Sequence, residues 1–342
     1  MTSLDASTPW HDERWLVKGD NPLQAGLRLQ QAWWRQECLA LPEAGRLHPV
    51  QPDKRQPKRN QVVSTMLPDS VDGVTANLIT EEAVAAYADA KERPDTAPAL
   101  IQEDRLRRNL LASQPLCFNF FGHLSKVEPD ALLEWVRTAA PDATRVADIR
   151  LGYAPSAAEL GEEPLGTSAF DAFVTYDLPA GRLGFIGVQM IYAEDLSKGL
   201  ALPPEGSAAR AKYVAETELR GWQKGAADEL VEHRRNLQFW YHQLLAQRTH
   251  ELVRGPDGRR TYDEYAVVVV ASRHDTSARA VVSKVAGLLV TEEQRTLRFC
   301  SLEDAIDAVV GHEPWKHSLW QRYTDFTPIQ RELQVGSPLR IQ

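Results

Sequence analysis

The chain has 342 residues, of which 43% are hydrophobic and 25% are charged, and its formal net charge is −8. This composition is typical of a globular protein and excludes a low-complexity or collagen-like chain. The negative charge argues against a protein that coats nucleic acid over its whole surface, so any DNA contact is expected to come from a local basic patch.

The cysteines and the polarity of the chain indicate its compartment. The three cysteines are odd in number, widely spaced and without metal-binding spacing, which favours reduced thiols; they are Cys38, Cys117 and Cys300. The first residues are polar and acidic, unlike a signal peptide, and no run of about 18 apolar residues predicts a membrane span. We therefore expect a cytoplasmic protein that makes no membrane contact.

The N-terminal part is predicted to be an extended arm over residues 1–22, followed by helices. Apolar spacing in residues 23–41 indicates a helix, in which packing is a simpler role for the paired tryptophans than base stacking. Residues 80–92 indicate a second helix with Thr80 as its cap. We divide the chain into an N-terminal arm and helical region, residues 1–99, and a core with C-terminal helices, residues 100–342.

Basic residues are concentrated in a proline-rich loop at residues 49–61. This loop has four closely spaced cations, Lys54, Arg55, Lys58 and Arg59. Such a cluster can hold nucleic-acid phosphates by charge alone, and a solvated loop without a ligand is the other interpretation. A second, smaller basic candidate lies upstream of the apolar helical stripe at 236–252 and consists of Arg234 and Arg235.

Alternating or continuous apolar runs predict five strands, at residues 144–153, 169–178, 183–192, 262–272 and directly after residue 295. The sequence Pro179-Ala180-Gly181-Arg182 predicts a tight turn that joins the second and third strands into a hairpin. The apolar run at 262–272 indicates a strand that is covered on both faces. Helices are predicted between and after these strands, at 129–140, in most of 207–254, at 276–290 and after Ser301.

Several segments resemble the PD-(D/E)XK nuclease superfamily, in its bacterial restriction-endonuclease-like branch. The branch has SAFD, a turn and then GFIGIE-x-KY-x-E, and this chain has SAFD at 168–171 and GFIGVQMIYAED at 184–195. The runs RRNLLASQPLCFNFFGHL, NLQFWYHQLLAQRTHEL and WKHSLWQRYTDF also resemble the branch. The resemblance implies an α/β, restriction-endonuclease-like core with a central mixed β-sheet flanked by helices and with N-terminal helical additions.

Three positions depart from the pattern that this resemblance implies. Asp171 stands at the first acid, but Gln189 and Ile191 replace the second acid and the lysine, and Gly152 replaces an acid near the end of strand 144–153. In an active centre of this kind, carboxylates hold Mg²⁺ and the lysine stabilises charge or orients the nucleophile. Gln189 offers a neutral amide oxygen and Ile191 offers no charge, so Asp171 alone is a weak metal ligand.

The leading interpretation is a DNA-associated nuclease-like protein of bacterial restriction or defence with an eroded metal centre. One alternative is an active Mg²⁺-dependent DNA endonuclease with a rearranged centre, to which Glu194, Asp195, Lys198 or Lys212 could contribute. The other alternative is a non-catalytic scaffold that binds a protein partner. His242 fits a hydrogen-bonded structural histidine better than a catalytic one, and the sequence carries no signal for an oligomeric state.

Overall fold

The computed structural model describes residues 20–46, 62–93, 101–196 and 202–333. The predicted arm up to residue 19 and the basic residues Lys54, Arg55, Lys58 and Arg59 lie outside these ranges. Among the helices within them, none is long and apolar enough to cross a membrane.

Five strands form one mixed sheet whose spatial order follows the chain order. The strands are β1 (Arg145–Tyr153), β2 (Phe170–Asp177), β3 (Leu183–Met190), β4 (Glu264–Ala271) and β5 (Leu297–Ser301). Strands β1, β2 and β3 are antiparallel neighbours, whereas β4 runs parallel to β3 and β5 runs parallel to β4. The predicted mixed sheet is therefore confirmed.

The β2–β3 hairpin turns where the sequence predicts it, at Pro179–Gly181. Gly181 has a φ of 71°, the left-handed conformation that glycine tolerates, and Ala180 also lies there with a φ of 63°. Strand β3 ends at Met190, two residues earlier than predicted. The ladder stops because the amides of Tyr192 and Ala193 turn away from it and donate to the Glu194 carboxylate.

Helices cover both faces of the sheet. Those before β1 are α1 (Pro22–Trp33), α2 (Gly73–Asn77), α3 (Glu81–Glu92), α4 (Glu103–Arg108), α5 (Ser113–Cys117), α6 (His123–Val127) and α7 (Leu133–Ala139). Those after β1 are α8 (Ala157–Leu160), α9 (Ala208–Leu219), α10 (Ala226–Glu232), α11 (Arg234–Leu252), α12 (Thr276–Gly287), α13 (Leu302–Asp307), α14 (Glu313–Tyr323) and α15 (Thr327–Leu333). Two π-helical turns, Trp34–Cys38 and Phe118–Gly122, extend α1 and connect α5 to α6.

Several predicted helix boundaries are confirmed by side-chain caps. Thr80, Asp275 and Ser301 accept backbone amides at the starts of α3, α12 and α13. The predicted helix at 23–41 is shorter, because the helical turns end at Cys38 and Ala40 adopts a φ of 53°. The helix predicted at 276–290 likewise ends at Gly287.

Two hydrophobic cores lie on the two faces of the sheet. Alternate residues of β4 divide between them, since Val268 and Val270 belong to one core while Val267 and Val269 belong to the other. This confirms the prediction that β4 is covered on both faces. The first core includes α1, α3 and the segment around Phe120, and the second includes α10, α11 and α12.

A buried polar junction connects the early helices with α14. The Arg322 guanidinium is fully buried and donates to the Asn77 carbonyl at 2.7 Å, to the Asn77 side chain and to Gln31 Oε1 at 3.3 Å. Gln31 Nε2 in turn donates to the hydroxyl of Tyr192 at 2.7 Å. Residues on both sides of the predicted boundary at residue 100 therefore share one hydrogen-bond network, and it reaches the segment that follows β3.

Candidate active site at the open end of the β2–β3 hairpin

Strand register brings the four sequence positions to one end of the sheet, away from the hairpin turn. Ala172 pairs with Val188, so Asp171 and Gln189 come next on their antiparallel strands, and Ile191 follows beyond the end of β3. Leu151 pairs with Ala172 on the other side, which places Gly152 next to the same strand end. The structure thus brings Asp171, Gln189, Ile191 and Gly152 into one neighbourhood.

The Asp171 carboxylate forms a hydrogen bond with the backbone of the neighbouring strand. Its Oδ2 accepts the amide of Met190 at 2.8 Å. Burial raises the pKa of Asp171 to about 7, the Met190 amide opposes the shift, and the nearby Glu194 charge adds to it. Near neutral pH a substantial fraction of this carboxyl is therefore protonated, which weakens it as a metal ligand.

The two replaced positions of the hairpin are both buried. Gln189 is 6% exposed, and its Nε2 donates to the adjacent Met190 carbonyl at 3.3 Å. Ile191 is 1% exposed and belongs to the second hydrophobic core, while its amide continues the sheet by donating to Val270 O at 2.9 Å. The glutamine offers no charge, and the isoleucine contributes packing instead of a cation.

Gly152 differs from an ordinary strand residue in its backbone. Its φ of 62° lies in the left-handed region, where an L side chain costs about 1 kcal/mol or more. The residues on either side pack on opposite faces of the sheet, Leu151 in the first core and Tyr153 in the second. An acid at this position would therefore strain the backbone as it stands, or the backbone would have to change with the side chain.

Glu194 is the most heavily hydrogen-bonded acid in this neighbourhood. Its Oε2 accepts the amides of Tyr192 at 2.8 Å and Ala193 at 3.1 Å. Its Oε1 accepts the amide of Ser113, the first residue of α5, at 3.0 Å and lies 3.5 Å from the Arg105 guanidinium. A carboxylate offers about four lone-pair positions, and three of them accept these backbone amides while the Arg105 guanidinium forms an ion pair with the same group.

From the sequence, Asp195 lies on the same face as Gln189 but too far along an extended strand to replace the lost ligand, unless the chain turns. The chain does turn after Met190, and Glu194 comes close enough to raise the pKa of Asp171. Lys212 instead donates to the Glu163 carbonyl at 3.3 Å, and Lys198 lies outside the described residues. A second acid therefore approaches Asp171, whereas Lys212 is engaged elsewhere.

This donor set fits Mg²⁺ poorly. Mg²⁺ favours charged oxygen ligands, but the raised pKa of Asp171 means that a proton competes with a cation for this carboxyl near neutral pH, and Glu194 already accepts three backbone amides. Across the described ranges, no three side chains of His, Cys, Asp or Glu are grouped so that they could hold a metal ion.

The polar residues of α11 that face the sheet have structural partners. His242 places Nε2 at 2.8 Å from the Ala169 carbonyl and Nδ1 at 2.8 Å from the Gln238 carbonyl, and burial lowers its pKa. Gln243 donates to Thr296 Oγ1, and Gln247 accepts the Trp222 indole N–H. The interpretation of His242 as a hydrogen-bonded structural residue agrees with these contacts.

Basic side chains near this end of the sheet fall into two groups. On α4, Arg107 pairs with Asp72 at 3.3 Å and Arg108 pairs with Asp69 at 2.8 Å, while Arg105 pairs with Glu194. Arg234 and Arg235 are exposed at the start of α11, and the described part of the chain supplies neither with an ion-pair partner. The second group is therefore the more available for an anionic ligand.

Two cavities flank the segment that follows β3. One, of about 220 Å³, lies among the starts of α1, α11 and α12 and is lined by Arg235, Asp275 and Glu194. The other, of about 210 Å³, is also lined by Glu194, together with Arg28 and Arg105. Arg235 thus lies beside the segment that continues from the motif strand.

The role of Glu194 as an anchor is the main feature that sequence reasoning missed. The pattern GFIGIE-x-KY-x-E contains a final acid, and this chain retains it at Glu194 together with the preceding Tyr192. That retention was the available signal. Its hydrogen-bond partner at Ser113 is 81 residues away, so the sequence alone did not indicate what the acid contacts.

Comparison with known proteins gives one match. The family model described as the PD-(D/E)XK nuclease superfamily matches residues 18–325, which is most of the chain. Neither the curated proteins nor the solved structures give a significant match. With the mixed sheet flanked by helices and a family match of this extent, the chain belongs to the PD-(D/E)XK nuclease superfamily.

Proposed function

We propose that the protein is a DNA-associated pseudo-nuclease that keeps the nuclease fold and no longer cleaves through the centre at the open end of its hairpin. The proposal rests on one observation, that each described position of the motif has a structural role in the fold. Asp171 binds the Met190 amide, Gln189 is buried without charge, and Ile191 packs in the core. No charged group remains at the lysine position to stabilise a developing phosphate charge.

A rearranged active centre is the second candidate, because Glu194 approaches Asp171 and Arg105 supplies a cation beside it. This arrangement places two acids beside one cation, as the two acids and the lysine of an active centre of this superfamily would be. Against it, the Glu194 oxygens already accept three backbone amides and face Arg105, so coordinating a metal would require releasing those bonds. We therefore rank it below the pseudo-nuclease.

Association with DNA is supported by the superfamily and by local charge. Arg234 and Arg235 are exposed cations in a chain whose net charge is −8, and Arg235 lines the cavity next to Glu194. Guanidinium groups bind phosphates without reading sequence, which predicts binding that weakens steeply with salt. We also propose a cytoplasmic location, which the three free thiols support.

The test of catalysis compares the wild-type protein with Asp171→Ala on supercoiled plasmid and single-stranded DNA, with Mg²⁺ or Mn²⁺. We expect no cleavage that depends on Asp171, and equal residual nicking in both preparations would mark a contaminant. Cleavage that is lost in Asp171→Ala and also in Glu194→Gln would overturn the proposal in favour of the rearranged centre.

The test of association measures fluorescence anisotropy of labelled duplex and single-stranded DNA. The double variant Arg234→Gln, Arg235→Gln is expected to bind DNA about tenfold more weakly at 0.1 M salt. Each lost phosphate contact should also reduce the slope of log affinity against log salt concentration by roughly one unit. The matched control is Lys91→Gln with Arg107→Gln, which removes the same charge from ion-paired surface residues. A wild-type protein that binds neither DNA would contradict DNA association and favour the protein-binding scaffold.

A further inference from the structure

Four exposed arginines lie together at the hairpin turn, at the end of the sheet opposite Asp171. We call this cluster the arginine tip; it consists of Arg182, Arg254, Arg259 and Arg260. Arg182 precedes β3, and the other three belong to the short loop between α11 and β4. The two segments touch, because the amide of Asp263 donates to the Leu183 carbonyl at 2.7 Å.

The arginine tip lacks the carboxylate partners that arginines have on α4. Of its members only Arg259 has an ion pair with the described residues, to Asp257 at 3.8 Å, and its side chain is 88% exposed. On α4, by contrast, Arg107 and Arg108 each pair with an aspartate. The tip therefore presents guanidinium groups whose charge is largely unneutralised by the fold.

The backbone of the tip is held in a fixed shape. Arg254 and Arg260 are partners in an antiparallel bridge, and the amide of Gly255 donates to the Arg259 carbonyl at 2.9 Å. The amide of Arg259 donates to Asp257 Oδ1 at 3.0 Å, and Gly258 has the positive φ of 76° that this tight loop requires. The arginines thus extend from an ordered loop, which reduces the entropy lost when they bind.

Placing two like charges directly opposite each other across a bridge costs stability. The charge of Arg260 also reaches the neighbouring His250, where burial and then this charge lower the histidine pKa. An anionic ligand would remove this repulsion. A structural role does not explain the pair, because Arg254 and Arg260 bury neither their side chains nor their charges.

We propose that the arginine tip binds the phosphate backbone of a nucleic acid, as a second contact surface remote from the motif end of the hairpin. The inference rests on the proposed association with DNA. Leu183 and Gln189 are six positions apart along β3, so the two ends lie roughly 20 Å apart. Tyr262, the aromatic residue of this loop, is buried. The described residues of the tip therefore offer guanidinium groups that can bind phosphates but no exposed aromatic ring on which a base could stack.

The experiment uses the full chain and titrates labelled duplex DNA at several salt concentrations. The tip variant combines Arg254→Gln, Arg259→Gln and Arg260→Gln. Its matched control combines Lys91→Gln, Arg107→Gln and Arg137→Gln, which removes the same charge from exposed residues that have carboxylate partners. Urea unfolding of both variants checks the fold, and we expect the tip variant to be at least as stable as the wild type.

In the tip variant, the slope of log affinity against log salt concentration should be smaller in magnitude by about two to three, since each phosphate contact contributes roughly one unit. Its affinity at 0.1 M salt should be reduced about tenfold or more. The control variant should keep the wild-type slope. Equal slopes for the tip variant, the control and the wild type would overturn the inference while leaving DNA association intact. Absence of DNA binding by the wild type would remove both proposals.

Discussion

The Asp171 carboxylate combines partial burial, a backbone hydrogen bond and a neighbouring acid. An ordinary aspartate in the unfolded chain has a pKa near 3.9, whereas this one titrates at about 7 in the fold. Because the folded pKa is raised, the stability that belongs to the protonated form is fully present below about pH 4 and is lost as the pH rises through 7. This single group therefore makes the fold less stable on the alkaline side.

Asp171→Asn is expected to remove that pH dependence. The amide stays neutral and its oxygen can still accept the Met190 N–H. The free energy of unfolding of the variant, relative to that of the wild type, should therefore rise by about 2 kcal/mol from pH 5 to pH 8. Urea unfolding of both proteins at the two pH values measures the difference, since other titrating groups cancel. Parallel stability curves for the two proteins would show that Asp171 titrates normally.

Ile191→Lys is expected to destabilise the protein rather than restore a nuclease. The side chain is 1% exposed in the second core, and an unpaired ammonium there should cost about 3 kcal/mol or more. Ile191→Met keeps the volume and should cost under about 1.5 kcal/mol. The free energies of unfolding of the two variants are compared, and a lysine variant as stable as the methionine variant would mean that the ammonium reaches solvent.

At the scale of elements, hydrogen bonds to α5 and α1 hold the segment after β3. Glu194 connects the turn at Tyr192 and Ala193 to the first residue of α5, while the Tyr192 hydroxyl accepts a hydrogen bond from α1 through Gln31. The end of the motif strand is therefore fixed by two distant helices. A loop with these anchors is expected to be ordered without a ligand.

Glu194→Ala should release this segment. The loss leaves three backbone amides without their acceptor, which is expected to cost about 3 kcal/mol and to speed hydrogen exchange at Ser113, Tyr192 and Ala193. Glu313→Ala is the control, because that glutamate is exposed and, within the described ranges, its one ion pair is with Lys316 of the same helix, at 3.3 Å. Unchanged exchange at the three amides would show that solvent replaces the carboxylate without loss.

At the scale of the whole molecule, the early helices and the sheet share one core. Leu27, Leu29 and Ala32 of α1 are buried in the first hydrophobic cluster with residues of β2, β3 and α14. The Arg322 junction adds hydrogen bonds to Gln31 and Asn77. The division at residue 100 remains a prediction about sequence regions, and these contacts favour one cooperative unit.

Removal of residues 1–99 is accordingly expected to abolish cooperative folding. The remaining chain would expose the apolar surface that α1 and α3 cover, and Arg322 would lose its acceptors. Near-UV circular dichroism and urea unfolding of residues 100–342 measure this, with the full chain as reference. Co-expression with residues 1–99 should restore the fold, and a fragment that unfolds at the midpoint of the full chain would contradict the prediction.

Much of the secondary structure follows from local sequence. The turn at Pro179–Gly181, the doubly covered strand β4 and the caps Thr80 and Ser301 were predictable, because turn conformations, burial patterns and capping bonds involve residues close together in the chain. The family resemblance also followed from contiguous segments. The early end of β3 did not, since it depends on Glu194 competing for backbone amides.

The sequence by itself determined that Gln189 and Ile191 cannot supply the charges of a metal centre, because side-chain chemistry does not depend on the fold. Only the tertiary structure decided what Asp171 and Glu194 do instead. Their partners come from other strands and helices, Met190 across the hairpin and Ser113 81 residues away, and burial sets the pKa of Asp171. Hydrogen bonding and desolvation depend on which distant groups are brought together, and that information appears only once the chain has folded.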